Sequence, residues 1–378
     1  MRKVLFIAAV VLSVALLAAC AAPTPQVIEK TVVVQQTVAV PVQQTVVVQQ
    51  TVVSQQTVAV PQTVVVPATA APTAVPPAGP VEIAVIVKTG NSSFWQNVQT
   101  GAFDAQKALK AQTPKLSVTF LGAQSESNIN EEINIVQSAI DRGVKAIVLA
   151  PSDVTALVPA VKAAKDAGIP VVIIDSLLSG DKSNYVSFLA TDNKTAGEAC
   201  AKTMIDLLTK AGKTEGKIQV MSYVAGVGSE IGRVGGFNDY IKAHSKFTLL
   251  PTQYSNADMP TALNQTTNVL AANPDLIGIF GANEPTAIGM GRAIAQAKLG
   301  GKIVAIGFDG AAQLQAFIKD GTLQAIAVQS SYQMGYKGVM TAYDVAIAKK
   351  TVPATVDTGF IMVTKDNIDS QDAKNVLY

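Results

Sequence analysis

From residue 81 onward, short apolar runs alternate with stretches whose apolar positions recur at helical spacing. The runs at 81–87, 116–121, 145–150, 170–175 and 185–191 predict buried strands. Helical patterns separate most of them. One, over 129–142, ends at Gly143, and another, over 154–167, ends at Gly168; a glycine just past the last apolar turn is a C-terminal stop. The rhythm restarts after Asp192, with strands expected at 217–223, 247–254, 276–281, 303–309 and 323–329. Strands that alternate with helices build parallel sheets covered on both faces. Two such series of similar length predict an α/β protein of two doubly wound parallel-sheet lobes.

The chain before residue 81 follows other rules. Arg2 and Lys3 precede an apolar run from Val4 to Leu17, broken only by Ser13, and the segment closes on Leu17-Ala18-Ala19-Cys20. A basic start, an apolar middle and small residues at the end form an export signal. The cysteine directly after two alanines makes the segment resemble a bacterial lipoprotein signal, which implies cleavage after residue 19 and acylation of Cys20. The alternative is an uncleaved signal anchor, since the run is just long enough to span a bilayer. Residues 21–80 repeat a Thr-Val-x-Val unit at Thr31, Thr37, Thr45, Thr57 and Thr63, with no aromatic residue and only Glu29 and Lys30 charged. Prolines at 41, 61, 67, 72, 76, 77 and 80 interrupt strand growth and favour extended, solvated chain. The segment reads as a tether that, as a flexible coil of about 60 residues, reaches roughly 40 Å on average. Its Val-rich, nearly uncharged repeats also suit a β-assembly segment.

Composition narrows the class. A chain of 378 residues with 49% hydrophobic content has enough material for two domains. Net charge is +2 with no basic block after Lys3, which disfavours a nucleic-acid footprint. DNA-binding repressors would need a basic helix-turn-helix head before residue 81. Cys20 and Cys200 are the only cysteines, so an acylated Cys20 leaves Cys200 unpaired, a small buried hydrophobe in a helical pattern over 195–208. His244, the only histidine, stands in no motif and cannot by itself supply a metal cluster. Gly226-Val227-Gly228 and Gly212-Lys213-Thr214 each miss the spacing of a nucleotide-binding loop. No enzymatic reading, and no cofactor, finds support.

Ligands of doubly wound sheets sit beyond the carboxyl ends of the strands. At those ends stand Ser92, Phe94 and Trp95 (the only tryptophan), then Asp175, Asn283, Asp309 and Gln329; a Gly-rich loop adds Arg233. Carboxylates accept from vicinal hydroxyls, an arginine fork donates to two oxygens, and amides do both. Aromatic faces cover the C–H side of a sugar ring. Singly, Asp309 also fits a cap for a helix over 311–317, Asp175 fits a turn cap, Trp95 fits a core position, and Arg233 fits a surface ion pair. Two carboxylates against one cation leave no excess positive charge for an anionic ligand.

Four segments, in this order and spacing, carry a family resemblance. They are Val87-Lys88-Thr89-Gly90-Asn91-Ser92-Ser93-Phe94-Trp95, Val171-Val172-Ile173-Ile174-Asp175, Ala190-Thr191-Asp192-Asn193 and Gly307-Phe308-Asp309-Gly310. The chain from residue 81 to about 364 resembles the sugar-binding proteins of ABC transporters, in the ribose-binding-like branch of the type I periplasmic fold. The resemblance implies a ligand held between lobes by Phe94, Trp95, Asp175, Arg233, Asn283, Asp309 and Gln329. It implies a hinge of three crossing strands, near 190–192, after Gln329 and near 353–356. The lobes are then 81–190 with 330–353, and 191–329 with 354–378, after a signal at 1–19 and a tether at 20–80. The implied partners are a neutral sugar (pyranose, pentose or cyclitol), the membrane permease of an ABC importer, and the bilayer through acylated Cys20. The expected protein is a monomer outside the cytoplasm that takes no nucleic acid. A chemosensory or sensor-kinase receptor component, or a binder of another small solute, is the alternative. Three departures stand out. Ser92 stands where an asparagine is expected, Ser176 replaces an arginine that ribose binders carry after this aspartate, and Ala257 replaces an aromatic, so a ligand bulkier than ribofuranose is expected.

Overall fold

The computed structural model describes residues 80–378; the expected signal, Cys20 and nearly all of the expected tether lie outside them. The first sheet contains β1 (Val81–Val87), β2 (Leu116–Gly122), β3 (Ala146–Leu149), β4 (Val171–Ile174), β5 (Ser187–Ala190) and β12 (Thr355–Asp357). Its order is β12-β5-β4-β3-β1-β2, and every pairing is parallel. All four residues of β3 and all four of β4 are buried, as required of strands covered on both faces. One apolar cluster packs on each face of this sheet.

The second sheet repeats the plan with β6 (Glu215–Ser222), β7 (Lys246–Leu249), β8 (Gln253–Tyr254), β9 (Leu276–Gly281), β10 (Val304–Phe308), β11 (Ala325–Gln329) and β13 (Phe360–Thr364). Its order is β13-β11-β10-β9-β6-β7, with β8 also on β6 and only β13 antiparallel. The single strand expected over 247–254 is two short ones. Pro251 stands between them, with no N–H for the ladder, and its carbonyl accepts from Gln219 Nε2 at 3.0 Å.

Three crossings join the lobes. The first follows Ala190 and the second follows Gln329. The third comes later than expected. Thr355–Asp357 pairs with Phe188–Ala190 in the first sheet, so the chain crosses at 358–359 and not at 353/354. Thr358 N–H donates to the Ala190 carbonyl at 2.9 Å there.

Helices α1 (Ser93–Leu109), α2 (Ile129–Asp141), α3 (Val158–Asp166), α4 (Asn193–Lys210), α5 (Gly228–His244), α6 (Met259–Ala272), α7 (Glu284–Gln296), α8 (Ala312–Asp320), α9 (Ser331–Ala346) and α10 (Gln371–Lys374) complete the chain. Two helix pairs pack backbone to backbone through glycine. Gly101 and Gly335 bring α1 onto α9, and Gly197 and Gly236 bring α4 onto α5; a Cβ at any of the four would strike main chain of the facing helix. The second contact fixes α5, and with it Arg233, against the crossing region.

Candidate functional site

The carboxyl ends of both sheets face each other and enclose a cavity. All eight residues selected from the sequence line it: Ser92, Phe94, Trp95, Asp175, Arg233, Asn283, Asp309 and Gln329. The empty space between its walls, open mouth included, is about 290 Å³, at the small end of the roughly 300–1,000 Å³ typical of small-molecule sites.

Local structure explains the placement. Ser92 caps α1, its Oγ accepting from Trp95 N–H at 3.4 Å, and Asn283 caps α7 through Thr286 N–H at 3.2 Å. Asp175 and Asp309 follow β4 and β10 with left-handed φ of 62° and 79°. Aspartate is among the few non-glycine residues that enter this region readily, and such strain gathers at functional sites.

Asp309 is not the cap of the helix that follows it. Its Oδ2 accepts from Glu284 N–H at 2.8 Å and its Oδ1 from Gln329 Nε2 at 2.9 Å. Burial raises its pKa to about 6, against the opposing pull of Arg233. Gln329 Oε1 is buried with no partner, an acceptor free to take a ligand hydroxyl.

Arg233 lies within α5 and not in the loop expected, is 2% exposed and makes no surface ion pair. Its Nε and Nη2 donate to Asn193 Oδ1 at 3.1 and 2.7 Å, and Nη1 donates to the Ala282 carbonyl at 2.6 Å. The guanidinium lies 3.6 Å from the Phe308 ring centre and 5.6 Å from that of Tyr223. A planar cation between two rings is held at low entropic cost, with its remaining edge toward the cavity.

Trp95 serves core and cavity together. It packs in the first lobe's core and meets Phe94 edge to face, with ring centres 4.8 Å apart. Its Nε1 donates to Glu126 Oε1 at 2.9 Å.

Several wall residues escaped the sequence reading. Lys88, 2% exposed, extends from the end of β1 to Asp175 Oδ2 at 2.7 Å, Ser176 Oγ at 2.7 Å and Ser229 Oγ at 3.4 Å. Ser176, one of its partners, is a departure from the ribose-binding pattern noted in the sequence. Lys88 and Tyr223 follow strands and were accessible to the strand-end rule. Glu284, next to the chosen Asn283, was accessible to it as well; Glu126 and Ser229 had no such signal, and Glu126 lies in a polar loop between Ser125 and Ser127. The charge balance therefore differs from one cation against two carboxylates. Lys88 and Arg233 face Glu126, Asp175, Glu284 and Asp309. Burial, opposed by Lys88, raises the pKa of Glu126. Burial and the nearby Asp309 raise that of Glu284 to about 7. Such carboxyls offer both hydrogen-bond donors and acceptors near neutral pH.

Other candidates are structural. Cys200 is fully buried in α4, and burial pushes its thiol up to about 12, outside the range of a reactive thiolate. His244 ends α5 with its ring 4.2 Å from that of Tyr240. Among the described residues, no group of three or more His, Cys, Asp or Glu could hold a metal ion. No helix among them is long and apolar enough to cross a membrane.

Residues 83–350 match the periplasmic binding protein domain family. The ribose import binding protein of Escherichia coli (strain K12) is 32% identical over 270 residues, 71% of this chain and 86% of that protein. An ABC transporter solute binding protein from Agrobacterium vitis with bound D-fucose is 62% identical, with a TM-score of 0.75, covering 79% of this chain and 100% of that one. A carbohydrate transporter solute binding protein from Agrobacterium radiobacter in complex with D-arabinose is 34% identical, with a TM-score of 0.75, covering 80% of this chain and 100% of that one.

Proposed function

The chain belongs to the periplasmic binding protein family, and from that premise we propose that it captures one neutral monosaccharide between closing lobes and delivers it to the permease of an ABC importer. The cavity carries this reading. Its room suits one ring, its wall combines Phe94, Trp95 and Tyr223 with polar groups of both kinds, and its carboxylates outnumber its cations. A phosphorylated or carboxylate solute would meet four acidic side chains. A neutral polyol meets acceptors at Asp175 and Gln329 and donors at Arg233 and Asn283. Because Ser176 replaces a donor fork, and the 62% identical Agrobacterium vitis protein holds D-fucose, a hexopyranose of that size is the favoured solute.

A thermal-shift and calorimetric screen of D-fucose, D-galactose, D-arabinose, D-ribose, D-allose, inositols, amino acids and nucleosides tests it. Stabilisation by a pyranose is expected; stabilisation by an amino acid or an anion alone would overturn it.

The sequence before the described residues supports the location. Leu17-Ala18-Ala19-Cys20 makes Cys20 the acylated first residue of an extracytoplasmic lipoprotein, with residues 21–80 as spacer between bilayer and binding domain. Two or more acyl chains anchor stably without a spanning helix. The protein then works as a monomer at the outer face of the cell membrane.

A further inference from the structure

Glu284 begins α7 in the second lobe, yet its carboxylate is bound by the first. Oε1 accepts from Ser93 N–H and Oε2 from Phe94 N–H, each at 2.9 Å. These are the opening residues of α1, whose N–H groups have no intrahelical acceptor and whose dipole favours an anion. The Tyr378 hydroxyl donates to Oε2 at 3.0 Å. Among the described residues, no salt bridge joins the two lobes. Neutral polar contacts also span the lobes: Ser229 Oγ meets Ser176 Oγ at 2.9 Å and Lys88 Nζ at 3.4 Å, Val154 N–H donates to the Gly226 carbonyl at 3.2 Å, and Asn193 Nδ2 donates to the Asp175 carbonyl at 3.5 Å.

Glu284 also lies between two spaces. It lines the inner cavity, and it lines an outer groove edged by Asn91, Asp258 and Arg292. Ser92, Glu126 and Pro285 also line both spaces, so Glu284 belongs to the partition between groove and cavity. The Glu284 main-chain N–H meanwhile donates to Asp309 Oδ2 at 2.8 Å, which fastens this residue to the cavity wall.

We propose that Glu284 is an interlobe latch: its carboxylate, seated on the N-terminus of α1, holds the cleft shut and sets how fast the captured solute escapes. The proposal rests on reading the cavity as the solute site, but lobe closure itself can be measured without solute. The latch forms only when the lobes meet, so its loss raises the dissociation rate and leaves encounter almost unchanged.

Two variants remove opposite halves of the contact. Glu284→Gln removes the charge and keeps one acceptor oxygen. Ser93→Pro removes the donor to Oε1. Proline is favoured at the first helical position, and Ser92, at φ −111° and ψ 154°, already has the backbone that must precede it. Stopped-flow kinetics with D-fucose should show koff rising about tenfold in each variant, with kon within about threefold of wild type. Spin-label distances across the cleft in solute-free protein should show a smaller closed population in both. Unchanged koff and unchanged closed population in both variants would overturn the latch. If wild type fails to take D-fucose or any other sugar, the sugar reading fails, and the solute-free distances still decide the latch.

Discussion

Asp175 and Asp309 occupy the same turn in the two lobes. Each follows its strand with a left-handed φ, 62° and 79°. Each donates its N–H to the carbonyl at the third position of the next strand, Leu189 at 3.0 Å and Ala327 at 2.7 Å. The two turns carry their carboxylates into one cavity from opposite sides. Their partners differ: Asp175 is paired with Lys88, whereas Asp309 accepts from Gln329 and from the Glu284 main chain.

Asp309→Ala leaves the Gln329 amide and the Glu284 N–H without their acceptor and places alanine at positive φ. Sugar affinity should fall about ten- to hundredfold, equivalent to about 1–3 kcal/mol, by isothermal calorimetry. An affinity unchanged from wild type would remove Asp309 from the binding wall.

Lys88→Met strands Asp175 in a site where both partners are almost fully buried. Removing one member of such a pair costs about 3–5 kcal/mol, which urea denaturation measures. The double variant Lys88→Met/Asp175→Asn should recover part of the loss, because no unpaired charge remains.

Trp95→Phe keeps a buried ring and deletes the donor to Glu126. The expected stability loss is about 1–3 kcal/mol for a carboxyl deprived of its partner. Preference among sugar isomers, read by competition, should be retained, since the donors and acceptors at Asp175, Arg233 and Asp309 remain.

The raised pKa values of Asp309, about 6, and Glu284, about 7, make the folded protein bind more protons than the unfolded chain. Their contribution is therefore complete below the unfolded values, near 4, and is lost as pH rises through 6 and 7. The stability advantage of wild type over Asp309→Asn should be larger at pH 4.5 than at pH 8 in denaturant titrations. A difference independent of pH would contradict the assignment.

Mass spectrometry of the N-terminal peptide should find Cys20 as the first residue, bearing two or more acyl chains. An intact Met1, or a free unmodified cysteine, would sink the lipoprotein reading.

The alternation of apolar runs with helical spacing was sufficient for two doubly wound lobes, because a strand buried on both faces needs continuous apolar residues and a crossover helix needs a stripe. The strand-end rule reached seven of the eight chosen residues that line the cavity, since backbone topology alone places strand ends at the cleft; Arg233 came from its glycine-rich surroundings and sits within α5. Short-range chemistry was less legible. Pro251 divides one expected strand. The pairing of Thr355–Asp357 with Phe188–Ala190 moves the last crossing to 358–359. Lys88 meets Asp175 across 87 residues of sequence, and Glu284 meets Phe94 across 190. No local pattern records such pairings. Periodicity reports which face of an element is apolar, whereas a buried charge is decided by whichever distant group arrives to compensate it, and only the assembled lobes bring that group into place.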